Sequence, residues 1–269
     1  MRLVVKIGGS LISEGYLNNV LSDLASVQTE HQTVIVHGGA ASVSEISRRL
    51  GKEPKFVTSP EGIKSRYTDA ETVKIYTMVM SGMIAPHIVA ELHRLGKRAI
   101  SLAGYDAGIM KAERKKRLVI VNERGRRMII EGGYTGRITS VDTVMIESLL
   151  DNGLIPVISP VAISNESELL NVDSDRAASS VASSIKATKL ILLSNVDGLI
   201  INEQLVRRVS PSQAKELLPK IGHGMDKKVM SATEAVENGV KSAIISSGKT
   251  KKPVIEAAEE KRGTVITLE

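Results

Sequence analysis

Three charged residues, far apart in the sequence, are the first candidates for chemistry: Lys6, Asp175 and Lys228. Lys6 stands in the last turn of an apolar run, Arg2 to Ile7, that reads as a buried strand. A lysine there is costly unless its ammonium meets negative charge, which a salt bridge at the sheet edge or a bound phosphate would supply. Lys228 lies in Gly224-Met225-Asp226-Lys227-Lys228-Val229, where a glycine-led turn opens a helix. Asp175 begins another helix just after Asn171-Val172-Asp173. A carboxylate between two lysines would hold both ammonium groups in place, and only the fold can bring the three together.

Two apolar runs end in paired glycines: Lys6-Ile7-Gly8-Gly9-Ser10 and His37-Gly38-Gly39-Ala40. Open parallel sheets bind ligands at the C-terminal ends of their strands. Glycine lets backbone N–H groups approach phosphate oxygens, and a following helix N-terminus favours anions. Neither turn is a dinucleotide fingerprint, and no G-x-x-x-x-G-K-[ST] loop is present. His37 has no convincing aspartate partner and reads as a polar strand-end residue rather than a catalyst.

The elements that must position these residues alternate along the chain. Residues 2–7 and 33–37 read as buried parallel strands, with helices at 17–27 and 40–50. Residues 55–58 and 62–66 flank Ser59-Pro60-Glu61 as a short hairpin. A long helix, 70–95, carries Ile75, Met78, Val79, Met83 and Ile84 on one side, and Pro86 should kink it. Residues 98–102 form a strand, and 118–121 and 128–130 pair around the turn Glu123-Arg124-Gly125. A helix at 141–152 and a strand at 155–159 follow. The second half repeats the alternation: helices at 175–187 and 225–238, strands at 190–194, 242–246 and 264–268. The expectation is an α/β fold, a mostly parallel open sheet with helices on both faces. A polar stretch at 164–170 suggests a lobe boundary, dividing residues 1–168 from 169–269.

Composition narrows the function class. The 269 residues include no cysteine, excluding disulfides, thiolate metal sites and a cysteine nucleophile. No Trp, one Phe and five Tyr leave too few rings for a base-stacking platform, so no nucleic-acid partner is expected. No apolar run approaches the ~18 residues of a membrane span, so no membrane partner is expected. The N-terminus lacks the order of a signal peptide, which argues for the cytoplasm. The formal charge is +6, and the segment 111–127 carries all of it: Lys111, Arg114, Lys115, Lys116, Arg117, Arg124, Arg126 and Arg127 against Glu113 and Glu123. It reads either as a solvated exposed hairpin or as a docking surface for an acidic partner.

Taken together these residues resemble the amino acid kinase superfamily, in its acetylglutamate kinase branch. Lys6-Ile7-Gly8-Gly9-Ser10, His37-Gly38-Gly39, Arg66, Asn171 with Asp175, Leu193-Ser194-Asn195-Val196-Asp197-Gly198, and Gly224-Met225 with Lys228 match that branch in order and spacing. The resemblance implies a three-layer αβα sandwich of two lobes, the first for substrate and dimerisation and the second for ATP. It implies catalytic roles for Lys6 and Lys228 on the transferring phosphoryl group, with Asp175 organising them. It implies substrate binding by Gly38, Gly39, Arg66 and Asn171, and phosphate or nucleotide binding by Gly8, Gly9, Ser194, Asn195, Asp197, Gly198, Gly224 and Met225. ATP with Mg²⁺ is the implied cofactor, the ion arriving with the nucleotide rather than in a protein cage. Ala40 departs from the pattern, since many relatives carry a third glycine there.

Within the branch, Val57-Thr58-Ser59-Pro60-Glu61-Gly62-Ile63, Ser65-Arg66-Tyr67-Thr68, Ala112-Glu113-Arg114-Lys115-Lys116-Arg117 and Gly132-Gly133-Tyr134-Thr135-Gly136-Arg137-Ile138 are similar to the kinases whose aminoadipate or glutamate substrate is attached to an acidic amino-group carrier protein, LysW. Classical acetylglutamate kinases typically have an acidic residue where Arg137 stands. This resemblance implies carrier docking by Lys115, Lys116, Arg117, Tyr134, Gly136 and Arg137, and suggests a homodimer for which helix 70–95 is a plausible interface. A kinase of free N-acetylglutamate is the nearest alternative; isopentenyl phosphate and uridylate kinases share the Lys6–Gly9 turn but lack the set of Arg66, Asn171 and Asp175. A basic nucleic-acid-binding protein is the alternative from another class.

Overall fold

A computed structural model describes residues 1–27, 31–222 and 224–268. Its centre is an eight-stranded sheet. From edge to edge the strands are Arg208–Val209, Thr264–Thr267, Ser242–Ser247, Lys189–Ser194, Arg2–Ile7, Gln32–His37, Ile155–Ser159 and Ala99–Ala103. Every pairing is parallel except that of Ser242–Ser247 with Thr264–Thr267, as the strand–helix alternation predicts.

Strand periodicity sorts the core into two layers. Leu3, Val5 and Ile7 face one side with Ile35, Val157 and Ile191, against helices Leu17–Val27, Pro253–Ala258 and the long helix Ala70–Arg94. Val4 faces the other side with Val34, Val36, Leu190 and Leu192, against Val144–Asp151, Ser174–Ser184 and Met225–Glu237. The result is the expected three-layer sandwich. Arg2–Ile7 pairs with Gln32–His37 on one side and Lys189–Ser194 on the other, so both halves of the chain share one sheet.

The long helix bears on two expectations. By length and hydropathy alone Ala70–Arg94 would suit a membrane span, although the sequence showed no continuous apolar run. In the fold Ile75, Val79, Met80, Ile84, Ile88 and Leu92 are buried in the core. Where a kink is expected at Pro86, the residues just ahead of it, Met80–Ile84, form a π-turn between Ala70–Val79 and Ala85–Arg94. Widening the turn is one way a helix passes a residue that lacks an N–H donor.

Two small sheets stand above the large one. The first joins Met110–Arg114, Gly136–Val141, Val161–Ile163 and Leu169–Asn171. The helix expected at 141–152 therefore starts only at Val144, and within the polar stretch 164–170 residues 164–168 connect the paired strands Val161–Ile163 and Leu169–Asn171. The second joins two hairpins: Phe56–Thr58 with Lys64–Arg66, and Arg117–Val121 with Arg127–Glu131. The basic segment is thus not one hairpin. Lys111 and Arg114 belong to the first sheet, and the hairpin begins at Arg117.

Candidate active site

A cleft of about 1260 Å³ opens at the C-terminal ends of the central strands. Lys6 shares the sheet face of Val4, next to helix Ser174–Ser184, so its side chain rises to that helix's first turn. There its Nζ lies 2.7 Å from Asp175 Oδ1, while Lys228 Nζ donates to Asp175 Oδ2 at 3.2 Å. The Lys6 contact has the distance of an ion pair but not the angle of a hydrogen bond. Lys6 and Asp175 are buried. Burial by itself pushes the Asp175 carboxyl up, but the ammonium groups of Lys6 and then Lys228 outweigh it and hold it below the ordinary carboxylate range. The helix start is fixed independently, because Asp173 accepts from the N–H groups of Asp175 and Arg176 at 3.0 and 3.1 Å.

The two glycine turns abut backbone to backbone. A Cβ on Gly9 would stand 2.8 Å from Gly39 N, and one on Gly38 would stand 2.9 Å from Gly9 N. Each turn runs into a helix, Gly9–Ser13 and Ala40–Arg49, whose first N–H groups have no acceptor within the helix. Gly8, Gly9, Ser10, Gly38, Gly39, Ala40 and Ala41 all line the cleft, so two helix N-termini face one space that suits anions. Ala40 stands at the helix start and does not obstruct this arrangement.

Arg66 enters from the second small sheet. Its Nη2 donates to Ala40 O at 2.8 Å and Ser44 Oγ at 2.7 Å, and its guanidinium lies 5.1 Å from the Phe56 ring centre. Its Nη1 is buried with no hydrogen-bond partner among the described residues. A planar, charged donor with one uncommitted arm lining a cleft suits a carboxylate. Asn171 lines the same wall, its Nδ2 donating to Thr68 Oγ1 at 2.9 Å.

The structure brings most of the sequence-identified residues to this cleft: Lys6, Gly8, Gly9, Gly38, Gly39, Arg66, Asn171, Asp175, Ser194, Asn195, Gly224, Met225 and Lys228 line it. Asp197 and Gly198 lie outside the lining, and Gly198 packs instead against Thr264. Of the residues linked to carrier docking, Lys115, Gly136 and Arg137 line the cleft, while Lys116, Arg117 and Tyr134 do not. Tyr134 is structural in part: its N–H donates to Thr68 O at 2.6 Å and the Arg114 guanidinium stacks 4.3 Å from its ring centre. His37 is fully buried and spans Ser159 Oγ and Gly38 O at 3.0 and 3.1 Å; burial pushes its pKa down to about 4.

The sequence reading missed Arg176 and Lys227, which also line the cleft. Burial lowers the Lys115 pKa, and the neighbouring cations Arg176, Lys227 and Arg137 add to this against the opposing Asp173. A signal was present: both missed residues are cations in the first turn of a helix, where the dipole disfavours them unless an anion joins them.

Comparison with known proteins addresses the family. The sequence profile of the amino acid kinase family matches residues 1–247. A relative from Cenarchaeum symbiosum, provisionally named a LysW-aminoadipate/LysW-glutamate kinase, is 50% identical over 264 residues, covering 98% of each chain. A relative from Saccharolobus solfataricus, which bears that name outright, is 45% identical over 265 residues and again 98% of each chain. Among solved structures, N-acetylglutamate synthase from Neisseria gonorrhoeae superposes with a TM-score of 0.82 at 24% identity, covering 100% of this chain and 59% of that one. A Giardia carbamate kinase gives 0.73 at 15% identity, covering 100% and 99%. At those identities the superpositions speak for the shared fold alone. The family profile and the full-length relatives settle the wider question: this chain belongs to the amino acid kinase family.

Proposed function

We propose that the chain transfers the γ-phosphoryl group of ATP to the side-chain carboxylate of aminoadipate or glutamate attached to the carrier protein LysW. The observation that carries the reading is the buried Lys6–Asp175–Lys228 group, set in the same cleft as the uncommitted arm of Arg66. One set neutralises a phosphoryl group and the other receives a carboxylate.

A side-chain carboxylate with an ordinary pKa of ~4.3 is ionised at neutral pH, so no general base is required. One carboxylate oxygen bonds to the γ-phosphorus, and the bond from that phosphorus to the β-bridging oxygen breaks. ADP leaves with the electron pair, and no proton need move. The difficulty is bringing two anions together, so catalysis is positioning and charge neutralisation. Lys6 and Lys228 meet the transferring oxygens. Asp175 keeps the ammonium groups apart and aimed. The N–H groups of the two glycine turns receive phosphate oxygens, and Arg66 with Asn171 holds the amino acid. Ser194, Asn195, Gly224 and Met225 form the nucleotide side, which is the role given to residues 169–269. Asp197 and Gly198 support that loop from outside the lining.

The carboxylates beside the lysines fit a bound magnesium ion poorly. Asp175 is neutralised by two ammonium groups and Asp173 caps a helix. Mg²⁺ accompanies the nucleotide in this reading, and the steps above rest on the chain's own groups.

The carrier enters along the cations of the rim. Lys115, Arg137, Arg176 and Lys227 crowd one side of the cleft, more positive charge than a free amino acid needs, and an acidic tail relieves their mutual repulsion. Arg137 is held by Glu113 in an exposed pair, which exchanges partners at little cost. A homodimer through Ala70–Arg94 is part of the proposal, supported by the exposed Met78 and Met83 on that helix. The deciding experiment measures acyl phosphate formation from carrier-linked aminoadipate and carrier-linked glutamate, beside their free N-acetyl analogues. Turnover of the free analogues alone would replace this reading with a free N-acetylglutamate kinase.

A further inference from the structure

His37 takes no part in the phosphoryl transfer proposed above, yet it is fully buried and both of its ring nitrogens are engaged. It shares the sheet face of Ile35, which packs against the long helix, and it does not line the cleft. Its Nδ1 lies 3.1 Å from Gly38 O and its Nε2 lies 3.0 Å from Ser159 Oγ. A carbonyl oxygen only accepts, so the first contact is a hydrogen bond only when Nδ1 carries the proton. With a pKa of about 4 the ring is neutral at ordinary pH and has one proton to place. Nε2 is then an acceptor, and Ser159 Oγ donates to it. The other acceptor within reach of that hydroxyl, Met80 O at 3.2 Å, already receives the Ala85 N–H of the π-turn. Ser159 thus fixes the tautomer from one side, and the ring holds Gly38 O on the other.

That carbonyl belongs to the Gly38–Gly39 peptide, which has glycine on both sides and could turn over at little steric cost. The peptide is trans, so its C=O and N–H point in opposite directions. Gly38 O is turned to the His37 ring, on the long helix's face of the sheet. Gly39 N–H is therefore turned to the opposite face, from which Lys6 rises to Asp175. Gly38 N–H is spent on Ile7 O at 2.8 Å, whereas Gly39 N–H has no acceptor among the described residues. We infer that His37 is a positioning residue, whose Nδ1–H holds the Gly38–Gly39 peptide in the orientation that presents Gly39 N–H to the transferring phosphoryl group. Turned over, the same peptide would set a carbonyl oxygen against the phosphate oxygens. The inference rests on the phosphoryl-transfer reading above and adds what aims one of its donors.

The test compares two polar replacements. His37→Asn keeps an N–H donor in the place of Nδ1, and His37→Gln puts one in the place of Nε2. We expect kcat for His37→Gln to fall about tenfold or more with KM for ATP nearly unchanged, since the donor matters most as charge moves in transfer. His37→Asn should stay within about threefold of wild type, because it restores the bond to Gly38 O. Equal losses in the two variants, or none in either, overturn the inference. A second measurement needs no variant: nitrogen-15 NMR of histidine-labelled wild-type enzyme reads the tautomer at about pH 7. The His37 ring is recognised as one that stays neutral down to about pH 5.5. A proton on Nδ1 supports the inference, and a proton on Nε2 overturns it. Wild-type enzyme that phosphorylates none of the carboxylates, carrier-linked or free, refutes the phosphoryl-transfer reading itself and this role with it, whichever tautomer is found.

Discussion

The floor of the cleft and the basic hairpin both concentrate cationic side chains, but they hold them in opposite ways. At the floor Lys6 is buried and Lys228 nearly so, and both are bound to one carboxylate that is itself buried. On the hairpin, Lys116, Arg117, Arg124 and Arg126 are exposed to water. Charge buried beside its counter-ion is fixed in position and strongly felt, whereas exposed charge is screened within about 8–10 Å at ordinary salt. In the proposed reading the floor acts on bonds and the hairpin on encounters. Mutation should separate them, with the floor affecting kcat and the hairpin affecting association.

The floor should give the largest effect. Lys228→Ala and Lys6→Ala are each expected to lower kcat by roughly 10²-fold or more, by analogy with deleting one oxyanion-hole donor. Steady-state kinetics decides it, and kcat within threefold of wild type for either variant would remove the assigned role. Next comes Arg66→Ala, with a KM for the carried amino acid raised on the order of 10-fold to 100-fold and a smaller change in kcat. An unchanged KM would move the substrate pocket elsewhere in the cleft.

The buried His37 gives a third test, one of stability rather than rate. Its pKa is about 4 in the fold against about 6.5 in the unfolded chain, so the unfolded state binds the extra proton first as pH falls. Stability is intact above pH 6.5 and declines as pH drops toward 4, by about 3 kcal/mol. Denaturant unfolding across that window should show this slope, and His37→Leu should flatten it. The smallest effect belongs to the hairpin side. Lys115, Lys116 and Arg117 replaced together by serine should lower kcat/KM on carrier-linked substrate at low salt, with little loss at high salt and saturating kcat nearly unchanged. A salt-independent loss would place these residues in the chemistry and break the contrast between the two regions.

Legibility in the sequence followed the range of the interaction. The strands around Lys6 and His37 are short apolar runs closed by glycines, and both the local pattern and the ligand-side geometry could be read from a few residues. The hairpin at 117–131 was readable from its turn, Glu123-Arg124-Gly125. Gly136–Val141 was not read as a strand, because its alternation is polar and its partner, Met110–Arg114, lies far away in the chain. The joining of the two hairpins into one sheet depends on the pairing of Thr58 with Val121, which no local signal announces. The convergence of Lys6, Asp175 and Lys228 was proposed from chemistry and family likeness, since nothing within ten residues of any of them requires it. Arg176 and Lys227 were not legible because their place in the cleft depends on how two helices, Ser174–Ser184 and Met225–Glu237, come together in the fold.

The position of Arg2–Ile7 in the middle of the sheet bears on how the molecule is made. Leu3 pairs with Thr33 on one side and with Lys189 on the other, so this strand waits for its second partner until residues around position 189 have been made. Its second edge stays open meanwhile, and contacts so distant in sequence form slowly. The nascent chain therefore carries an open apolar strand edge until that partner arrives, the condition in which chaperones are engaged. Lys6 adds a charge to that strand near its end, which discourages pairing with stray partners until Lys189–Ser194 and Asp175 arrive.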